Sequence, residues 1–146
     1  MKQSMKRWSV AAAATLALAG GAALAQAQSE GLPPEVQQGS VSYLSGGVAG
    51  DESAAIKQAM GRYPLSIELY AKGDGANEFL ADVPVRISTA HDKMVLDVTA
   101  KGPFLLVKVP PGAYTVRATY EGKEMIRKVN VSAKGHARAV FLWNQM

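Results

Sequence analysis

The sequence predicts a mainly β protein: a single antiparallel β-sandwich of seven strands, preceded by one helix. Three observations predict it. From Leu65 onward, apolar residues recur with the period of two that marks half-buried strands. Turn-forming residues interrupt that pattern about every ten positions, the rhythm of a sandwich. The stretch Gly102–Gly122 contains two strands joined by Pro110-Pro111-Gly112, in which the prolines preset φ and the glycine is free to take a positive value.

Residues 1–27 read as a secretory signal peptide. Lys2, Lys6 and Arg7 supply a positive start, Val10–Leu24 is apolar and alanine-rich, and Ala23-Leu24-Ala25 and Ala25-Gln26-Ala27 both offer small-x-small cleavage sites. The apolar run of about 15 residues falls short of the roughly 20 that span a bilayer. No cysteine follows it, so lipid attachment there is excluded, and no transmembrane anchor is expected after cleavage. Residues 28–50 read as a flexible tether, because Pro33-Pro34, Gln37-Gln38 and the glycines at 39, 46, 47 and 50 disfavour regular structure, with Tyr43 and Leu44 as a local anchor. The folded domain is then expected over 51–146.

The helix is expected over Asp51–Arg62, with Asp51 as N-cap and Glu52 at the positive end of the helix dipole. Ile56, Ala59 or Met60, and Tyr63 form its apolar stripe, and Gly61 and Pro64 end it. It should pack on an edge or open end of the sandwich. The first strand turns Leu65, Ile67, Leu69 and Ala71 inward and Ser66, Glu68, Tyr70 and Lys72 outward. Gly73–Asn77 is expected to be loop. Val83, Val85 and Ile87 define the second strand, where Pro84 suggests an edge or bulge. Ala90–Lys93 reads as a hairpin turn, and Met94, Leu96 and Val98 share one face of the third strand. Phe104–Val109 is almost continuously apolar, as for a strand covered on both sides. Tyr114, Val116, Ala118 and Tyr120 alternate with Thr115, Arg117, Thr119 and Glu121. After Glu121-Gly122-Lys123, Val129 and Val131 share a face with Arg127, which predicts a bulge or a strand end there. Ala137–Trp143 closes the fold. The expected core is Leu65, Ile67, Leu69, Val83, Val85, Ile87, Leu96, Val107, Tyr114, Val116, Val129, Val131 and Phe141.

Composition narrows the function classes. The chain carries 16 Lys plus Arg against 12 Asp plus Glu, but three of the basic residues lie in the signal segment, leaving 13 against 12. The high pI therefore gives no support to nucleic-acid binding. The charge is uneven: residues 101–146 hold eight basic and two acidic groups. Lys123, Arg127, Lys128, Lys134 and Arg138 thus form a candidate anion surface. The absence of cysteine excludes disulfides, thiolate metal sites and cysteine nucleophiles.

Several segments carry residue types with chemical potential. His91 and His136 are the only histidines, and a metal site would need both to converge, with Asp74 or Asp92. The alternative places His91 in a solvated turn and His136 at an exposed strand start. Ser88, His91 and Asp92 are local in a turn and lack the strand-turn-helix context of a catalytic serine. Gly46–Gly50 precedes a helix but lacks the Gly-Lys-Ser/Thr of a phosphate loop, so a hinge is the better reading. Tyr70, Tyr114, Tyr120, Phe104, Phe141 and Trp143 raise the possibility of a carbohydrate-stacking face, yet alternation turns most of them inward, Tyr70 excepted.

Val83-Pro84-Val85-Arg86-Ile87, Val109-Pro110-Pro111-Gly112-Ala113-Tyr114-Thr115-Val116 and Tyr120-Glu121-Gly122-Lys123 together resemble the carboxypeptidase regulatory-like domain. Ser45-Gly46-Gly47 with Asp51-Glu52, Gly102-Pro103-Phe104 and Phe141-Leu142-Trp143 resemble, more narrowly, its small stand-alone exported members from Gram-negative bacteria. The resemblance covers residues 41–143. It implies a transthyretin-like seven-stranded sandwich, a periplasmic location, and an accessory, folding or binding role without catalytic residues or cofactors. The zinc-binding His-x-x-Glu of metallocarboxypeptidases is not matched: Met94 follows His91 by three and Ala139 follows His136 by three. The Tyr-Arg-Gly-Ser tail of the transthyretin-like hydrolase is replaced by Trp143-Asn144-Gln145-Met146.

The expected function is a non-catalytic exported module that binds another envelope component, most simply a protein. Its expected contact surface is Gly46, Gly47, Gly50, Asp51 and Glu52, where missing side chains would leave backbone accessible. Two alternatives stay open: binding of anionic glycan or lipid head groups through the basic C-terminal third, and a hydrolase or metal-binding protein using His91 and His136.

Overall fold

The computed structural model describes residues 31–144, and the segment read as a signal peptide lies outside them. Among the described residues ten strands form rather than seven. All seven expected strands are present: β3 (Leu65–Lys72), β5 (Val83–Thr89), β6 (Met94–Ala100), β7 (Phe104–Lys108), β8 (Gly112–Tyr120), β9 (Lys123–Val131) and β10 (Ala137–Asn144). The three additional ones are β1 (Val36–Gln38), β2 (Val41–Gly46) and β4 (Asn77–Phe79). Residues 36–46, expected within a tether, therefore belong to the sheet. Their Gln, Ser and Gly content hides this, because β2 gains its stability from pairing along β7, Ser42 opposite Lys108 through Gly46 opposite Phe104.

One sheet has the order β1-β2-β7-β3-β10, with β4 on β3 beyond the end of β7. The other has the order β6-β5-β8-β9. The sandwich is not wholly antiparallel: β10 runs parallel to β3, from Ala137 opposite Leu65 to Asn144 opposite Lys72. Alternation encodes which face a side chain takes, not which strand lies alongside. Between the sheets sit Leu65, Ile67, Leu69, Val83, Val85, Ile87, Leu96, Val107, Tyr114, Val116, Val131 and Phe141, all buried, with Val129 half-buried against them. The expected core residues are thus the observed ones.

A second apolar cluster lies on the other side of the first sheet. Helix α1 (Gly50–Ala59) and a 3₁₀ turn (Met60–Arg62) bring Ile56, Ala59 and Tyr63 onto Leu44, Phe104 and Leu106. The helix therefore covers a sheet face instead of an edge or open end. This is why β7 is apolar at every position from Phe104 to Val107. The N-cap is Ala49, and Asp51 and Glu52 fall in the first turn.

Two local expectations change. No bulge forms at Arg127: β8 and β9 pair without a break from Gly112–Val131 to Tyr120–Lys123. Arg127 keeps its inward parity because β9 is an edge strand, and its guanidinium lies 5.4 Å from the centre of the Phe141 ring. The irregularity sits instead between Ile87 and Ser88, where Ser88 pairs with Met94 and β6 carries an extra residue. That bulge turns Met94 away from Leu96 and Val98, and Met94 is 50% exposed.

Candidate interaction surfaces

Alternation places Ser66, Glu68, Tyr70 and Lys72 on the outward face of β3. Ser66 and Glu68 are nonetheless buried. Glu68 lies opposite Phe104 on one side and Val140 on the other. Its carboxylate accepts from Arg138 Nε and from Arg138 Nη2 (3.0 Å), and from the Tyr70 hydroxyl (2.5 Å). Burial alone would raise the Glu68 pKa. The hydrogen bonds from Arg138 and Tyr70 and the charges of Arg138 and Lys57 outweigh it, and hold the carboxyl below its ordinary value. Tyr70 is pushed the other way, by burial and by the neighbouring carboxylate.

Beyond this ion pair the sheet face becomes apolar. Leu142, Tyr70 and Phe79 stand opposite one another across β10, β3 and β4. Phe79 is 51% exposed, and Val140 and Leu142 are 38% and 37% exposed. The rings of Tyr70, Phe79 and Phe104 form a cluster with centroids 5.7–6.5 Å apart. Lys57 on α1 places its ammonium 6.0 Å from the centre of the Phe79 ring and 5.9 Å from that of Phe104. Among the described residues, β10 pairs with β3 alone, so its other edge carries no strand.

The Gly-rich surface expected at Gly46–Glu52 is a packing junction. Gly46 and Gly47 are buried. Gly47 has φ +102°, its N–H donates to Glu52 Oε1 (2.7 Å), and a Cβ there would strike the Phe104 ring. A Cβ on Gly102 would strike the Gly46 backbone. The absent side chains at Gly46, Gly47 and Gly102 serve close approach; of the five residues expected to form the contact surface, Gly50 and Asp51 are exposed and Glu52 is half-buried.

The five basic residues of the C-terminal third do not converge. Arg138 is on the outer face of the first sheet, tied to Glu68. Arg127 faces Phe141. Lys123 opens β9 on the same side as Arg127, and its carbonyl accepts from Trp143 Nε1 (3.0 Å). Lys128 takes the opposite side of β9, and Lys134 lies in the β9–β10 turn.

The histidines also occupy separate elements. His91 is in the β5–β6 turn, where its amide donates to Thr89 Oγ1 (3.2 Å). His136 precedes β10, and its Nδ1–H donates to the Tyr63 carbonyl (2.7 Å). Its Nε2 is hydrogen-bonded with Ser66 Oγ (3.1 Å). Ser66 is fully buried, so the contact ties the β9–β10 turn to β3. Ser88 is buried, and its Oγ accepts a long contact from Arg117 Nη1 (3.5 Å). Among the described residues, no three His, Asp or Glu side chains are grouped to hold a metal, and no helix is long and apolar enough to cross a membrane.

Sequence reasoning missed the Glu68–Arg138 pair and the aromatic cluster. Residues 68 and 138 are far apart in the chain, and only the parallel register of β10 on β3 joins them. Tyr70 was the one detectable signal, an aromatic at an outward position. No protein-family model matches this chain, and no curated protein matches it.

Proposed function

We propose that this chain is an exported, non-catalytic accessory module that binds another protein of the cell envelope through the outer face of β3, β4 and β10. The observation that carries this reading is the exposed row Leu142–Tyr70–Phe79 with Val140 beside it. Exposed apolar side chains gathered on a rigid sheet are a common signature of protein contact. Support for export is the basic, apolar, small-x-small order of residues 1–27. Resemblance to carboxypeptidase regulatory-like domains supports an accessory role.

A photo-crosslinking residue placed at 79 or 142 in cells tests the reading, with position 99 on the other sheet as reference. Discrete adducts at 79 and 142, lost when Val140 is changed to Asp, are expected, and the protein should fractionate with the periplasm. Adducts equally abundant at position 99, or retention of Met1 in the membrane fraction, would overturn the proposal.

A further inference from the structure

The outer face of the second sheet carries a different feature. Arg86 on β5 and Arg117 on β8 are directly opposed in the antiparallel register, and both point outward. Like charges on opposed positions of adjacent strands repel. Asp97 relieves only one of them: its carboxylate is 3.7 Å from Arg86 Nε, and both side chains are more than half exposed. Such an exposed, long pair contributes little. Arg117 has no carboxylate within salt-bridge distance among the described residues, and its guanidinium makes only a long contact, 3.5 Å, to Ser88 Oγ.

The two guanidiniums lie in a surface groove of about 470 Å³ whose remaining lining is Ser88, Asp92, Met94 and Glu124. The β-bulge at Ile87–Ser88 turns Met94 outward to wall it. Two planar forks of N–H donors, fixed on adjacent strands, match the oxygen geometry of a phosphate, sulfate or carboxylate. Asp92 and Glu124 also line the groove. Their charges weaken the attraction for any anion, and most for a polyanion running along the groove, so the group that fits is one small enough to sit on the two arginines.

We propose that Arg86 and Arg117 form a binding site for a single oxyanionic group, carried on a soluble molecule or on a lipid head group. The site is on the sheet facing away from the protein-binding surface described above and stands independently of it. Relief of the Arg86–Arg117 repulsion supplies part of the driving force. None of the five basic residues singled out from the sequence belongs to it.

Titration of the purified protein with inorganic phosphate at constant ionic strength, read by the arginine Nε–H resonances, is the test. Saturable shifts at Arg86 and Arg117 are expected. Arg117→Gln should weaken binding about tenfold, the value of one charged hydrogen bond, whereas Lys101→Gln, far from the groove, should leave it unchanged. A second measurement guards against misfolding. Phosphate should raise the urea midpoint of the wild type but not of Arg117→Gln, whose own midpoint should equal or exceed the wild type's in the absence of phosphate. Co-sedimentation with phosphatidylglycerol vesicles, and not with phosphatidylcholine vesicles, would assign the group to a lipid. Phosphate binding without vesicle binding would assign it to a soluble ligand. Absence of saturable shifts, or equal weakening by Lys101→Gln, would overturn the proposal.

Discussion

A buried carboxylate sets the chemistry of the first sheet's outer face. Glu68 is almost fully buried, while the Arg138 side chain is 58% exposed. Arg138→Ala should cost about 2 kcal/mol by urea denaturation, less than the roughly 3–5 kcal/mol for breaking a fully buried pair, because water reaches the vacated side. The acid limb of stability follows from the sign of the shift. Glu68 titrates below its ordinary value when folded, so its contribution is complete above the unfolded pKa and is lost as pH falls through the folded one. Glu35, also held below its ordinary value, adds in the same direction; burial opposes this shift, but hydrogen bonds from Tyr63, Lys108 and Ser42 prevail. Glu68→Gln should therefore flatten the fall in urea midpoint below about pH 4.5. At the alkaline end, burial and the Glu35 carboxylate push Tyr63 up to about 12. Ultraviolet titration should find this phenol ionising well after an ordinary tyrosine, with stability falling as pH rises through that range. Gly102→Ala should destabilise by about 1–3 kcal/mol, since a rigid backbone occupies the space a methyl would need.

Individual elements are held by different means. Helix α1 lacks a side-chain cap at Ala49 and buries Ser53, Ile56 and Ala59. Packing rather than intrinsic propensity therefore keeps it in place. Ile56→Ala should cost about 2–4 kcal/mol, measured by chemical denaturation, and should expose Phe104 and Leu106. The two sheets meet along one side at β9 and β10. There Trp143 reaches the Lys123 carbonyl and stacks with Phe141, while Arg127 covers the Phe141 ring. An inward arginine on an edge strand keeps β9 from adding a foreign strand. The Pro-Pro-Gly turn is secured by the Tyr114 hydroxyl, which donates to the Pro110 carbonyl (2.6 Å). Glu121 and Gly122 both take positive φ, the geometry of a two-residue hairpin turn between β8 and β9.

At the scale of the whole fold, two apolar clusters share one sheet. The larger fills the space between the sheets, and the smaller fills the space between α1 and β2–β7. The smaller cluster has six buried members and the larger has many more, so the two should open separately. Native-state hydrogen exchange should show α1 and the 3₁₀ turn opening at lower free energy than β3, β5 and β8. Identical protection across both regions would mean that helix and sandwich unfold as one unit. The two proposed binding faces are divided in the same way: aromatic and aliphatic contacts gather on one outer face and paired arginines on the other.

The sequence by itself determined the sandwich-like class, all seven of its main strands, the helix's place along the chain though not the sheet face it covers, and the inward face of nearly every strand. Period-two alternation and turn residues act locally, so they survive in a single chain. It did not reveal β1, β2 or β4, whose short segments are strands only because β7 offers an edge to β2, β2 in turn to β1, and β3 to β4. Nor did it reveal that β10 lies parallel to β3, that Glu68 meets Arg138, or that Arg86 faces Arg117. Those pairings depend on strand order and register, set by how the two sheets and the helix share their buried surface. Alternation tells each residue which side of a strand it takes; only the tertiary structure decides what waits for it there.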